Sequence, residues 1–261
     1  MITKIDTMKK RILLLLLLCI WGFQSGIAQI NDHDWKYILV REDAVYPSMT
    51  ADYEASLSDL AWFLGEKNVK HVNYITQLQD NYIYSHVSVL NNLEDIQGGL
   101  RDFIHGDKKT AEFDLIWDEL NQTIDSYRYY VVEYKAELSY VPDGKVWLED
   151  APYRKWSFYY FKPGTEGDAE QILMAWKNLY ANKGVTNGFR VFRGVIGLEQ
   201  PVLVLTTWAQ NPLDYHSKLQ KNIELLGEEG SVLWMAMMEL VRDVETVEGW
   251  FLPQYSYLPA E

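Results

Sequence analysis

The stretches "ELSYVPDG" (137–144) and "QYSYLPAE" (254–261) share a Ser-Tyr-aliphatic-Pro core, with Ser139 and Ser256 lying 117 positions apart. Whether that core closes a unit written twice decides the fold. Reading backward from the first copy, "VVEYKAELSYV" (131–141) has strand composition and stops at Pro142, which cannot extend a hydrogen-bond ladder. Before it, Phe113, Ile116, Trp117, Leu120 and Ile124 recur at helical spacing, as do Leu93, Ile96, Leu100, Phe103 and Ile104. Earlier still, "VNYITQL" (72–78) and "YIYSHVSV" (82–89) alternate around Asp80-Asn81, a pair that tolerates the positive φ of a tight turn. Tyr53, Leu57, Leu60, Ala61 and Leu64 mark one helix face, and "WKYILVRE" (35–42) is an opening strand.

The second copy yields the same order. "WSFYYFKPG" (156–164) is a strand ended by Pro163-Gly164, and Ala169, Ile172, Leu173, Trp176 and Leu179 line a helix. "FRVFRGVI" (189–196) and "VLVLTTW" (202–208) are paired strands. Pro212 suits a first helical position, because a helix start leaves that amide unpaired anyway. Leu219, Ile223 and Leu226 continue that helix, a further helical segment starts at Glu229, and "WFLPQYSYLP" (250–259) closes the chain as a strand. Residues 35–142 and 156–259 therefore both spell βαββαβ, over 108 and 104 residues. That order is ferredoxin-like, a four-stranded antiparallel sheet with helices on one face. A second copy can cover the bare face. The expected fold is α+β, two fused ferredoxin-like halves packed as an intrachain α/β barrel. In topology this resembles the dimeric α/β barrel superfamily, which includes antibiotic-biosynthesis monooxygenase-like, NIPSNAP-like and stress-responsive barrel proteins. The resemblance implies chemistry that ranges from cofactor-free oxygenation and haem handling to none, and it brings no catalytic motif with it.

Composition narrows the function classes. Residues 1–28 combine Lys4, Lys9, Lys10 and Arg11 with an apolar run from Ile12 to Ile20 and small residues up to Ala28, the pattern of a secretory signal peptide. The expected product is exported, periplasmic or extracellular, without a membrane span after cleavage. Its cut removes Cys19, the only cysteine, so disulfides, cysteine-ligated metals and thiol catalysis are excluded from the product. The whole chain carries a net charge of −13, and the cut leaves 20 basic against 36 acidic residues. Such a surface repels nucleic acid and anionic lipid. No zinc-protease, nucleophile-elbow, phosphate-loop or dinucleotide motif is present, so no cofactor is expected. Asp32, His33 and Asp34 sit next to the cut and read as a tail, so no metal site is expected.

Candidate site residues come from the strand pairing. A two-residue turn at Asp80-Asn81 sets Gln77 opposite Tyr84 and Ile75 opposite His86. Gln77, Tyr84, His86 and Ser88 then share a face turned away from the helices, either wet or set against the other half. There His86 has a pKa suited to proton transfer, and Tyr84 could bind a ligand beside it. In the second half, Trp176 and Trp208 line either a cavity or a core, and Arg190 could hold an anion. Arg193, on the opposite strand face, cannot share that cavity. The preferred reading is a non-catalytic protein binding a small apolar or aromatic molecule or a protein partner. A cofactor-free oxygenase-like enzyme using His86 and Tyr84 is the alternative. Carbohydrate binding is the third; it requires several exposed Trp and Tyr rings to be coplanar, and it fails if Trp62, Trp176 and Trp208 are all buried.

Overall fold

The computed structural model describes residues 36–90, 92–96, 104, 110–142 and 150–259. The expected signal segment 1–28, the Asp32–Asp34 tail and most of the 93–104 helical pattern lie outside the described residues. Among the described residues, eight strands and four α-helices follow one another as β1 (Tyr37–Val45), α1 (Thr50–Glu66), β2 (Ile75–Gln79), β3 (Ile83–Leu90), α2 (Ala111–Gln122) and β4 (Ile124–Tyr134), then β5 (Tyr153–Phe161), α3 (Glu166–Lys183), β6 (Arg190–Ile196), β7 (Val202–Ala209), α4 (Pro212–Leu240) and β8 (Val241–Phe251). Local chemistry sets the helix ends. Thr110 accepts the Phe113 amide ahead of α2, Asn211 accepts the Asp214 amide ahead of Pro212, and α3 stops at Gly184 with φ of 65°. At Gly227 α4 breaks, with φ of 56° and ψ of −140°, close to the break expected before Glu229.

All strand pairs are antiparallel, and the sheet closes in the order β1-β3-β2-β8-β5-β7-β6-β4. The first four strands thus run β4-β1-β3-β2 and the last four β8-β5-β7-β6, the same order with the same members central. Closure removes every sheet edge, which two separate four-stranded sheets would leave open. Ile38, Val40, Tyr130, Val132, Phe158, Tyr160, Phe192, Val202 and Val204 fill the lumen. The outer faces pack on helices, through Leu39, Leu60, Phe63, Val131 and Phe113 in one half and Leu173, Leu179, Val191 and Leu203 in the other. Among the described residues no helix is long and apolar enough to cross a membrane.

Two expectations need correction. β4 and β8 begin right after α2 and α4, so residues 124–130 and 241–249, read as helix or connection, are strand. Their Tyr-rich and Val-Glu-alternating composition favours strand, but Ile124 and Val244 also fit the helical spacing of the preceding segment. Accordingly, the Ser-Tyr-aliphatic-Pro segments are not the last strands. They follow those strands as latches, each gripping the opposite half. Tyr257 bridges Tyr74, Ser256 Oγ accepts the Thr76 amide at 2.9 Å, and the Tyr257 hydroxyl donates to the Val69 carbonyl at 2.7 Å. Reciprocally, Tyr140 bridges Phe189, Ser139 Oγ accepts the Val191 amide at 2.9 Å, and the Tyr140 hydroxyl donates to the Val185 carbonyl at 2.8 Å. A side chain at Gly188 would meet the Tyr140 carbonyl at 2.2 Å, so glycine is needed for the first latch to seat. Tyr257→Phe is expected to cost about 1 kcal/mol, a fall in Tm of about 2–4 °C, because it strands a buried carbonyl. Thermal unfolding checks it.

The second correction is the hairpin register. Residues 80–82 form a three-residue turn ending in Tyr82 at φ of 61°, and Thr76, not Ile75, sits opposite His86. Three-residue hairpin loops commonly end in a left-handed residue, and tyrosine gives no sequence signal for it. One residue of slip turns β2 over relative to β3.

Candidate functional site

The slip moves the site. Tyr84, His86 and Ser88 face the helices of the first half, together with Thr76, while Gln77 turns into the lumen beside Glu42, Gln79, Ser85 and Trp156. Both faces of β2 and β3 are covered, so alternation of polarity could not say which face lay inward. β1 is central in its half, so the "Arg41-Glu42-Asp43" run cannot reach solvent at an edge. It sends Arg41 and Asp43 toward the helices and Glu42 into the lumen, and all three are buried. Glu42 is satisfied there by Arg128 Nε at 2.5 Å and the Tyr130 hydroxyl at 3.2 Å.

Arg41 is fixed on every side but one. Its Nε donates to Asp43 Oδ1 at 2.6 Å, and its guanidinium lies between the rings of Trp117 at 5.0 Å and Tyr127 at 4.9 Å. Asp43, 1% exposed, also accepts the Tyr53 hydroxyl at 2.8 Å. That hydroxyl stands 2.7 Å from His86 Nε2, and His86 Nδ1 stands 3.0 Å from Thr76 Oγ1. Thr76 Oγ1 in turn lies 2.5 Å from the carbonyl of Tyr255, beside the second latch. Alongside this chain, Glu54 accepts the hydroxyls of Tyr84 at 2.8 Å and Tyr255 at 2.9 Å. Tyr84 therefore braces α1 and the latch behind His86.

A cavity of about 30 Å³, room for one or two waters, opens beside the chain. Leu39, Leu57, Leu60, Ile104, Trp117 and Leu120 form its apolar walls, and Arg41, Asp43, Tyr74, His86 and Ser88 supply the polar groups. Two buried donors on its lining, Arg41 Nη2 and the Tyr74 hydroxyl, find no partner among the described residues. Burial lowers the His86 pKa from 6.5 to about 4, with Arg41 adding to the fall and Asp43 opposing it, so the ring is neutral near pH 7. Burial and the Asp43 carboxylate push the Tyr53 phenol well above its usual range.

Hydrogen-bond counting adds a constraint. A neutral ring offers one N–H and one lone pair. If Tyr53 gives its proton to the carboxylate, the stronger acceptor, then His86 Nε2–H must donate to Tyr53, and Thr76 must turn its hydroxyl onto Nδ1. A protonated ring instead donates at both ends, leaving Thr76 free to donate to the Tyr255 carbonyl. Burial thus holds the ring neutral, while the acceptors around it are complete only for the imidazolium. That arrangement suits a group that takes up a proton from a bound molecule.

The matching place in the second half lacks all of this. The reciprocal latch bridges equate Tyr74 with Phe189. Strand registers carried from there equate Thr76 with Val191, His86 with Leu205, Arg41 with Ser157 and Asp43 with Tyr159. Val191, Leu205, Tyr159 and Trp176 belong to that half's apolar core. Trp176 is therefore packing, touching Tyr180 and Trp234. Arg190 and Trp208 do come together, the guanidinium 4.7 Å over the ring, but on the lumen-facing side of their strands and apart from Trp176. Arg193 points the other way, onto Glu133 at 2.5 Å. Of the three tryptophans named for sugar stacking, Trp62 is exposed, Trp208 is half-buried and Trp176 packs against the apolar core of the second half. Among the described residues, no three His, Cys, Asp or Glu side chains group closely enough for a metal ion.

No protein-family model matches the sequence. No curated protein matches it either. Solved structures do share the fold. An anthrone oxidase-like protein is 10% identical with a TM-score of 0.60, over 85% of this chain and 94% of its own. A monooxygenase-like protein from Lactobacillus acidophilus NCFM is 7% identical with a TM-score of 0.55, over 87% of this chain and 97% of its own. A mutant chlorite dismutase from Candidatus Nitrospira defluvii is 10% identical with a TM-score of 0.51, over 84% and 92%. At these identities the likeness concerns architecture alone, an α+β fold with a closed eight-stranded antiparallel barrel.

Proposed function

We propose that this protein is a duplicated ferredoxin-like chain whose first half is a small-molecule enzyme and whose second half is its scaffold. The substrate is a compact, mainly apolar compound presenting one carbonyl, phenol or enol oxygen, and the step is proton removal without a cofactor. The observation that supports this is internal to the chain. One fold builds the same space twice, once with Arg41, Asp43, Tyr74, Thr76 and His86, and once with Ser157, Tyr159, Phe189, Val191 and Leu205. The apolar version supports the view that this space can be filled without the charges. Apolar replacements of a buried ion pair are often neutral or stabilising, so retaining it in one half points to use.

In this reading Arg41 Nη2 and the Tyr74 hydroxyl hold the substrate oxygen and the negative charge that develops on it. His86 receives the proton, and the Tyr53–Asp43 and Thr76–Tyr255 bonds steady the resulting cation. The apolar walls keep water away. The anthrone oxidase-like and monooxygenase-like neighbours make oxidation of the deprotonated compound by O2 a reasonable assay, by analogy of fold. Export through the basic and apolar start of the chain remains part of the proposal.

Anthrone is a suitable probe, because it is a carbon acid with one carbonyl. Wild-type protein should bind it and speed its oxygen uptake, and Tyr74→Phe should weaken binding roughly 2–10-fold, the worth of one neutral hydrogen bond. Equal binding by wild type and a Tyr74→Phe, Arg41→Met double variant would sink the placement of the oxygen. One further observation favours a second reading, non-catalytic retention of a small molecule. The cavity is so small that a substrate can enter only if a wall such as Trp117 moves. Native mass spectrometry of purified protein, showing a retained compound and no turnover, would select that reading.

A further inference from the structure

The second latch does more at Thr76 than the first does at the matching residue, Val191. Both latches grip their strand by its backbone. Ser256 Oγ accepts the Thr76 amide at 2.9 Å, and the Leu252 amide donates to the Thr76 carbonyl at 2.8 Å. Ser139 Oγ likewise accepts the Val191 amide at 2.9 Å, and the Lys135 amide donates to the Val191 carbonyl at 2.9 Å. Val191 takes its latch without a hydroxyl, so the hydroxyl of Thr76 calls for another explanation. Thr76 is fully buried, and its Oγ1 stands within reach of two acceptors, His86 Nδ1 at 3.0 Å and the Tyr255 carbonyl at 2.5 Å. One hydroxyl proton serves one of them at a time. Across the ring, Nε2 faces the Tyr53 hydroxyl at 2.7 Å and Asp43 Oδ2 at 3.7 Å. The carboxylate side favours a proton on Nε2, which leaves the lone pair on Nδ1.

We propose that Nδ1 is the nitrogen that takes the substrate proton, and that Thr76 is its positioning residue. In the neutral ring the Thr76 hydroxyl donates to Nδ1. When the substrate C–H or O–H bond breaks, its electron pair stays on the substrate as an enolate or phenolate, and the proton forms the Nδ1–H bond. The Thr76 hydroxyl then turns to the Tyr255 carbonyl, and its oxygen accepts from Nδ1–H. That carbonyl belongs to the closing segment 252–257, so the second half supplies one end of the first half's site. The inference rests on the proton removal proposed above, but the state of the ring can be read without turnover.

Nitrogen-15 NMR of His86 in the full chain tests it, with the signal assigned by its loss in His86→Leu. At pH 7 the wild type should carry its proton on Nε2 and show Nδ1 as a hydrogen-bonded acceptor. Thr76→Val should keep the Nε2 proton but move Nδ1 to the position of a free lone pair, and Thr76→Ser should restore the wild-type signal. The titratable and charged groups around His86 are Asp43 and Arg41 from β1, Tyr53 and Glu54 from α1, Tyr74 from β2, Tyr84 on its own strand, and Tyr255 and Tyr257. All of them are unchanged in the Thr76 variants. With anthrone as probe, Thr76→Val should slow proton removal roughly 10-fold and lower the acid edge of the pH profile by about one unit, because a bond to the cation outweighs the neutral bond it replaces. Thr76→Ser should recover both, whereas a purely structural role would change the rate and leave the edge in place. A neutral ring protonated on Nδ1, or one Nδ1 signal shared by wild type and Thr76→Val, would overturn the proposal. The wild-type spectrum decides it even if Thr76→Val does not fold. The expected spectra without turnover of the probe would support the hold of Thr76 on the ring and overturn only the reaction.

Discussion

His86→Leu, which writes the second half's residue into the first, should slow proton removal from the probe about 10²–10⁴-fold, the usual contribution of a positioned base. It should leave the fold intact, because Leu205 already occupies the matching place. Stability against pH gives an independent readout. The His86 pKa falls from 6.5 in an unfolded chain to about 4 in the folded one. As pH drops below 6.5 the unfolded chain takes up this proton first, so stability declines until about pH 4 and then levels for this group. The loss amounts to about 3 kcal/mol. Wild-type stability measured by denaturant between pH 7 and pH 4 should therefore fall more steeply than that of His86→Leu, by about that amount. Parallel curves would mean that the ring is not held neutral by burial. By the same reasoning the base stays competent well below pH 6.5, and activity should fade only near pH 4–5.

The largest loss of stability should come from Asp43→Ala. It leaves Arg41 buried between Trp117 and Tyr127 with no counter-charge among the described residues, and it removes the acceptor that positions Tyr53 against His86. Breaking a buried pair from one side costs about 3–5 kcal/mol, which for a chain of this size lowers Tm by roughly 10 °C. The double variant Arg41→Met, Asp43→Leu should recover most of that loss, since an apolar pair of similar volume removes both charges together. Its probe binding should not recover. If both variants were equally unstable, the cluster would be a structural necessity of the first half, and the contrast with Ser157 and Tyr159 would carry no functional meaning.

The missed members of the site had a signal. Arg41, Glu42 and Asp43 interrupt an otherwise apolar strand, and a charged run in a strand with no free edge must be satisfied inside. His86 and Tyr84 were legible as candidates because a histidine stands out among alternating Tyr, Ser and Val. Their partners were not, because Tyr53 lies on α1, and Tyr255 lies in the closing segment of the chain. Nothing local ties those positions together.

Order along the chain was determined by sequence alone. Periodicity of 3.6 or 2 identifies a segment from its own residues, and the doubled βαββαβ order with its two Ser-Tyr-aliphatic-Pro segments already implied a pair of matched sheets. Which face of each strand looks inward was decided by the tertiary structure. In β2 and β3, set between the lumen and the helices, both strand faces are largely covered, so polarity no longer labels them. The hairpin register then turns on one left-handed tyrosine, Tyr82. The same limit applied to the repeated tetrapeptide. It marked the end of each half, but only the folded chain shows it reaching across to hold the other, because that role rests on hydrogen bonds between residues about 50 to 190 positions apart, Ser139 to Val191 and Tyr257 to Val69.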